Sequence, residues 1–176
     1  MTKFIKKLRL VEDPKAMRSF PFIARVNLEE SEIEYLNAIS GDRYREEYEF
    51  ENGQFYITRE EWSFHGNVRV SYTLLYAISN ELKIVATISF GYNNYREFNG
   101  SDFISTDTIK KIYLKQTKNE IINTLIEVAK IVADKVPYDP YDDLVSSILQ
   151  EVREKGLELS ELLKRLKKEV KKNGLD

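Results

Sequence analysis

The chain of 176 residues contains no cysteine, a single histidine and only seven glycines. Without cysteine there is no disulfide framework, no thiolate nucleophile and no cysteine-ligated zinc or iron–sulfur site. His65 alone cannot build a two-histidine metal site, and its place in a His-Gly-Asn sequence is typical of a turn. The sequence has no phosphate-binding loop, nucleophile elbow, zincin motif or kinase signature. We therefore predict a non-enzymatic protein without a metal or cofactor.

The chain also has little net charge and no long hydrophobic run. Its formal charge is -2, from 27 basic and 29 acidic residues, so no global field favours nucleic acid or an anionic membrane. No apolar run approaches the ~20 residues of a membrane span, and the N-terminus does not resemble a signal peptide. We expect a cytoplasmic protein that does not contact a membrane. Its Lys, Glu and Ile content is compatible with a thermophilic source.

Hydrophobic residues make up 42% of the chain, enough for one domain with its own core. The periodicity of these residues predicts an α+β fold in three parts. We expect a strand-helix unit at residues 1–43, an antiparallel sheet at 44–116 and three helices at 117–176.

The first part begins with "FPFIARVNL", whose apolar residues alternate as in a strand. Ser31 and Glu34 have the spacing of a capping box, and Gly41 can end a helix. We therefore predict a short helix over residues 31–40.

The second part has a period of two from Tyr44 to Phe90, which predicts four strands in an antiparallel meander. Asn52-Gly53 and His65-Gly66 are hairpin signals, and a further turn is expected at residues 79–81. With the N-terminal strand and the segment "TIKKIYLK" at residues 108–115, the sheet could reach six strands.

The third part is helical. Thr117 and Glu120 form a second capping box, and an apolar stripe from Ile121 to Ala133 predicts one long helix packed on the sheet. Asp139-Pro140 starts another helix and Ser160 caps a last one, so that residues 139–172 form an αα-hairpin. Periodicity does not determine whether this hairpin folds back or projects.

The segment "GYNNYREFNGSDF", residues 91–103, follows neither period. Tyr, Asn, Gly and Ser are the residues that recognition loops use, and Arg is enriched at interface hot spots. The predicted partner-binding residues are Tyr92, Asn93, Asn94, Tyr95, Arg96 and Phe98. The alternative is that these rings pack over one end of the sheet.

The leading hypothesis is thus a non-enzymatic protein-interaction module, such as an adaptor, an assembly factor or an inhibitor of a larger complex, including those encoded by viruses and mobile elements. Its C-terminal amphipathic helices could also support homo-oligomerisation.

Two alternatives belong to other classes. One is a small-ligand cavity between the sheet and the long helix, lined by Tyr48, Trp62, Tyr72 and Tyr76. The other is nucleic-acid binding, in which lysines surround a tyrosine that could stack on a base and the basic C-terminal helix adds charge. Its predicted contacts are Lys110, Lys111, Tyr113, Lys115 and Lys118. The same lysines would also suit an edge strand protected against aggregation.

Overall fold

A computed structural model describes residues 5–17, 21–37, 47–79, 81–91, 94–135, 144–145, 148–149, 156 and 158–174. The strands within these residues are β1 (Lys6–Lys7), β2 (Phe22–Asn27), β3 (Glu32–Leu36), β4 (Tyr48–Glu49), β5 (Phe55–Phe64), β6 (Asn67–Ile78), β7 (Glu81–Gly91) and β8 (Arg96–Asn99). The helices are α1 (Thr106–Lys115), α2 (Ile121–Lys135) and α3 (Leu159–Lys172), with a 3-10 turn at Pro14–Met17.

Six of these strands form one antiparallel sheet in the order β3-β2-β5-β6-β7-β8. This confirms the predicted α+β class and the antiparallel sheet. His65 and Gly66 connect β5 to β6 with φ angles of 48° and 79°, the left-handed values of a tight hairpin turn. The predicted His-Gly-Asn turn is therefore confirmed.

The inner face of the sheet packs against α1 and α2. Leu125, Val128 and Val132 of α2 are fully buried in one cluster with Ile57 and Leu74 of the sheet. The predicted long helix on the sheet is confirmed. It begins at Ile121, however, and the carbonyl of Glu120 accepts the Thr124 N–H at 3.0 Å, so a capping box at residues 117–120 is wrong.

The outer face has two halves. In the covered half, β1 and β4 form a small parallel sheet that lies over the main one. Tyr48 of β4 packs there in one cluster with Tyr56, Leu75 and Ala77, which point outward from β5 and β6. The open half carries no described element.

The strand predicted from Tyr44 to Phe50 as the first of the meander is therefore wrong in its pairing. Its described part, Tyr48–Glu49, pairs with β1, and the neighbours of β5 are β2 and β6. Residues 44–46 lie outside the described residues.

The short helix predicted over residues 31–40 is also wrong, because residues 32–36 form β3, antiparallel to β2. Ile33 lies opposite Val26 and Tyr35 opposite Ala24, so both extend the inner core cluster. Residues 32–35 alternate between glutamate and a large apolar residue, which favours a strand. The strand forms instead of the helix because pairing with β2 packs Ile33 and Tyr35 against the core.

The strand predicted at residues 108–115 is wrong as well, because Thr106–Lys115 is the helix α1. Ser105 caps this helix by accepting the Thr108 N–H at 3.3 Å. Ile109, Ile112 and Tyr113 recur at a spacing of three and four residues, which places them on the side of the helix that joins the core. Conversely, residues 96–99, predicted as loop, form the edge strand β8.

The last predicted helix is present as α3, but its N-cap is Glu158 and not Ser160. Residues 144, 145, 148 and 149 of the preceding predicted helix are helical, and Ile148 is buried. The rest of the first arm of the αα-hairpin lies outside the described residues. Within the part of the chain that is described, no helix has the length and apolar character needed to cross a membrane.

Candidate binding site on the outer face of the sheet

The strand register places outward-facing residues of β5 to β8 in three rows across the open half of the outer face. The rows are Trp62, Arg69, Gly91 and Tyr95; Glu60, Ser71, Ser89 and Glu97; and Thr58, Thr73, Thr87 and Asn99. They enclose a groove of about 800 Å³, which we call the open groove. Its described lining residues are Glu60, Trp62, Phe64, Asn67, Val68, Arg69, Ser71, Thr73, Thr87, Ser89, Gly91, Tyr95 and Asn99.

Three exposed aromatic rings line the open groove. Trp62 is 61% exposed, Phe64 74% and Tyr95 48%. Trp62 and Phe64 follow Glu60 at positions of the same parity, so all three point outward from β5. A single exposed apolar side chain is ordinary on a protein surface, but three exposed aromatic rings around one groove are typical of an interaction site.

Hydroxyl groups form the floor beside the row of Trp62 and Tyr95, in which Arg69 lies between Trp62 and Gly91. Ser71 and Ser89 lie opposite each other on β6 and β7 with their oxygen atoms 3.0 Å apart, and the hydroxyls of Thr73 and Thr87 are 3.5 Å apart. Each hydroxyl can donate one hydrogen bond and accept others. These hydroxyls can therefore bind polar groups of a ligand, and the carboxylates of Glu60 and Glu97 lie at the two ends of the Ser71–Ser89 row.

A hydrogen-bonded network around Glu97 holds one wall of the open groove. The Tyr95 hydroxyl donates to Glu97 at 2.6 Å, the Asn99 amide donates at 2.7 Å, and Arg69 forms an ion pair with the same carboxylate. These hydrogen bonds, first that of Tyr95, then that of Asn99, and the charge of Arg69 hold the pKa of Glu97 below its ordinary value. The Arg69 guanidinium also lies 5.4 Å from the centroid of the Tyr95 ring.

Gly91 gives the Tyr95 ring its position. A β-carbon at residue 91 would lie 3.4 Å from Cδ1 and 3.5 Å from Cβ of Tyr95. The ring therefore occupies the outward space above β7 that a longer side chain at residue 91 would fill.

The predicted recognition loop is divided between the two faces of the sheet. Tyr95 lines the open groove and Asn94 is exposed beside it with a φ of 60°. Phe98 points inward, where its ring is 4.8 Å from that of Tyr113, and Arg96 is exposed with its guanidinium 5.8 Å from the Phe90 ring. Tyr92 and Asn93 lie outside the described residues. Within the described residues, Phe98 therefore packs in the core, as the alternative interpretation expects, and Tyr95 is exposed on the opposite face.

Of the other groove residues, only Trp62 was predicted in a site, as part of the alternative ligand cavity. Trp62 and Phe64 share a strand face with Glu60, and large apolar residues on an otherwise polar face were the signal available in the sequence. The rows themselves depend on the pairing of four strands, which no short motif encodes.

The predicted nucleic-acid contacts lie on and just after α1. Lys110, Lys111, Lys115 and Lys118 are exposed. Tyr113 is buried, and its hydroxyl donates to the Asn119 side chain at 3.0 Å. Its ring packs in the core and is not available for stacking on a base.

The residues predicted to line a ligand cavity do not meet in one place. Tyr76 is stacked on Phe55 in the inner core at 4.6 Å, whereas Trp62 and Tyr48 belong to the outer face. Tyr72 does line a cleft of about 740 Å³ between the edge strand β3 and the start of α2. A cleft between sheet and helix therefore exists, with a different set of lining residues.

The described residues contain no group of three or more histidine, aspartate or glutamate side chains that could hold a metal ion. Comparison of the chain with protein-family models, with curated proteins and with solved structures finds no match. The function must therefore be argued from the geometry of the molecule itself.

Proposed function

We propose that the protein is a non-enzymatic protein-interaction module that binds its partner through the open groove. The observation that carries the proposal is the exposure of Trp62, Phe64 and Tyr95 around one polar floor. An adaptor, an assembly factor or an inhibitor of a larger complex would each use such a surface. We propose a cytoplasmic setting, which the cysteine-free composition supports.

The composition of the groove supports a protein partner. Trp, Tyr and Arg dominate the energetic hot spots of protein interfaces, while Lys is depleted there. Trp62, Tyr95 and Arg69 are present, and no lysine is found among the described lining residues. This composition favours a desolvated contact over the tracking of a phosphate backbone.

The arrangement of the groove supports the same conclusion. Tyr95 is held by its hydrogen bond to Glu97 and by its contact with Gly91, so binding would immobilise little additional side-chain freedom. A preorganised aromatic anchor reduces the entropic cost of association.

Capture from a lysate of the natural source tests the proposal. The wild type, the variant Trp62→Ala/Phe64→Ala and the control Leu114→Ala are immobilised in parallel, with nuclease present throughout. Leu114 is 78% exposed on α1, so its change removes an exposed apolar side chain elsewhere. We expect one protein to be recovered by the wild type and the control and lost from the groove variant at an unchanged melting temperature.

The recovered protein is then purified and titrated against the fluorescence of Trp62, the single tryptophan of the chain. A saturable change supports the proposal. Equal recovery by the groove variant and the wild type would contradict it.

Binding of an apolar small molecule in the cleft beside Tyr72 is a second candidate. Its volume of about 740 Å³ lies within the range of small-molecule sites, and Phe22, Ile122 and Ile126 line it. Fluorescence of an apolar dye should rise with the wild type and not with Ile122→Arg. An equal rise with both would contradict this candidate.

A further inference from the structure

Positive charge is concentrated in the helix α3. Its 14 residues include six basic and two acidic ones, which gives a formal charge of +4, although the whole chain carries only -2. The expectation of no membrane contact followed from that small total, which conceals the charge of a single element. A local concentration of one sign attracts a ligand surface of the opposite sign.

Five lysines share the exposed side of α3. Successive residues of a helix are rotated by about 100°, so the half-buried side chains of Arg165, Leu166, Glu169 and Val170 lie together on one side. The described side chains on the other side are exposed, and they are Ser160, Glu161, Leu163, Lys164, Lys167, Lys168, Lys171 and Lys172. None of these lysines forms an ion pair with any residue that the structure describes. Their charges are therefore available to a ligand.

The helix dipole accounts for only part of this lysine-rich side. Cations are favourable near the C-terminus of a helix, but the effect is confined to the last turn. Lys171 and Lys172 belong to that turn, whereas Lys164, Lys167 and Lys168 precede it. Lys164 and Lys168 are four residues apart, as are Lys167 and Lys171, and like charges at this spacing destabilise a helix. An anionic ligand would relieve that repulsion.

The apolar side chains of α3 are placed unlike those of the other two long helices. Both α1 and α2 bury side chains in the core, whereas no described side chain of α3 is buried. Leu163 is 51% exposed and has Lys167 one turn away on the same side of the helix. The exposed side of α3 thus combines a row of positive charges with a large apolar side chain at its border.

This combination fits an anionic lipid surface better than a nucleic acid. Amphipathic helices with lysines and leucines lie in the membrane interface, and clusters of about four to eight basic residues on them bind anionic phospholipids. Single strands of nucleic acid are bound through aromatic side chains that stack on the bases. The described exposed side of α3 has no aromatic residue, and the ring of Tyr113, predicted for that role, is buried.

From these observations we infer that α3 binds the surface of a membrane that contains anionic phospholipids. The helix lies along the surface without crossing it, its lysines contact the headgroups, and Leu163 enters the border of the acyl layer. Anionic lipids are characteristic of the cytoplasmic leaflet, which agrees with the proposed cytoplasmic setting. The contact uses none of the residues of the open groove.

Co-sedimentation with lipid vesicles tests the inference. The full chain is titrated with vesicles of about one quarter phosphatidylserine in phosphatidylcholine, and separately with vesicles of phosphatidylcholine alone. We expect binding to the phosphatidylserine vesicles only, and a loss of affinity with added salt, which screens the charges. Lys167→Gln/Lys171→Gln should bind about 30-fold more weakly, at about fivefold for each lysine near the surface. The control Lys110→Gln/Lys111→Gln, which removes the same charge from exposed lysines of α1, should bind like the wild type.

Leu163 distinguishes a membrane from other polyanions. Leu163→Gln should weaken binding to the phosphatidylserine vesicles, because the side chain no longer enters the acyl layer. Leu114→Gln, the same substitution at an exposed site of α1, should not. Melting temperatures equal to that of the wild type would show that all four variants are folded.

No binding to the phosphatidylserine vesicles, or equal binding by the two lysine variants, would overturn the inference. Duplex DNA at equal phosphate concentration extends the test. Tighter binding to the DNA than to the vesicles, with no effect of Leu163→Gln on either, would overturn the inference in favour of nucleic acid. None of the variants changes the open groove, so a failure here leaves the proposed function standing.

Discussion

The covered and open halves of the outer face are built from the same strands but differ in chemistry. On β5 and β6 the covered half presents Tyr56, Leu75 and Ala77, which are buried beneath β1 and β4. A few residues further along the same strands, the open half presents Glu60 and Ser71. The apolar residues end where the cover ends, because only a covered strand face can bury them.

A β-bulge marks the boundary between the halves. The register between β6 and β7 shifts at Leu74 and Leu75, where β7 contains one extra residue. Bulges bend a strand and increase its local twist. The bend lies between the covered cluster and the hydroxyl rows of the open groove.

Three side chains of the open half are apolar exceptions on a polar face: Trp62, Phe64 and Tyr95. Polar residues alone would suffice for a solvated strand face, yet these three rings are exposed large hydrophobic side chains. Their exposure is the reason for assigning function to the open half.

The largest expected effect is on stability in the covered half. Leu75→Ala should lower the free energy of unfolding by about 3 kcal/mol, because the Leu75 side chain is fully buried and a cavity would remain. Urea denaturation measures this change. Leu114→Ala, the same substitution at an exposed site, should stay within about 0.5 kcal/mol. Equal losses for the two variants would contradict the assignment of a core to this half.

Next in size is an effect on binding alone. Gly91→Leu should displace the Tyr95 ring, since its side chain would extend beyond the 3.4 Å contact that a β-carbon already makes. We expect about tenfold weaker binding of the captured partner, or about 1.4 kcal/mol, with a near-native melting temperature. Gly91→Ala, which reaches only van der Waals contact, is the control. Unchanged partner binding by Gly91→Leu would contradict a role for the Tyr95 ring in binding the partner.

A smaller effect concerns the hydroxyl floor. Ser71→Ala should destabilise by about 1 kcal/mol, because the buried hydroxyl of Ser89 loses its 3.0 Å partner. Ser71→Ala/Ser89→Ala should cost less than the sum of the two single changes, since no unpaired hydroxyl remains. A double-mutant cycle in urea measures the coupling. Strict additivity would mean that the two hydroxyls do not stabilise each other.

The smallest effect is electrostatic. The lowered pKa of Glu97 means that its carboxylate network is complete above the ordinary value of 4.5 and is lost as the pH falls through the lower folded value. Carboxyl-carbon NMR should give Glu97 a midpoint below 4.5. Tyr95→Phe, which removes the hydroxyl donor, should raise that midpoint. A titration midpoint of Glu97 at or above 4.5 in the wild type would show that the hydrogen bonds from Tyr95 and Asn99 do not lower its pKa.

Local patterns predicted the elements whose partners are near in sequence. The His65-Gly66 turn, the strands β5 to β7 and the long helix α2 follow directly from turn residues and periodicity. Segments with two competing local signals were mispredicted. In residues 31–36 the capping-box spacing predicts a helix and the period of two predicts a strand. The strand forms because it pairs with β2.

Of the rings in the candidate site, the sequence predicted Tyr95 as a partner-binding residue and Trp62 as part of a different site, the ligand cavity. Tyr95 stood out because its loop followed no period. Trp62 and Phe64 were visible as aromatic residues on a polar strand face, but their relation to Tyr95 depends on the pairing of β5, β6 and β7. Residues 62 and 95 are too far apart in sequence for any local pattern to relate them.

By itself, the sequence determined the α+β class, the hairpin turn at His65-Gly66 and the apolar stripe of α2, because these depend on backbone preferences and burial over a few residues. The tertiary structure decided which half of the outer face is covered, how β3 pairs, and that Tyr95 lies over Gly91 and lines the same groove as Trp62. Strand order and register arise from contacts between distant segments. Their free energies depend on the assembled sheet and on no single segment.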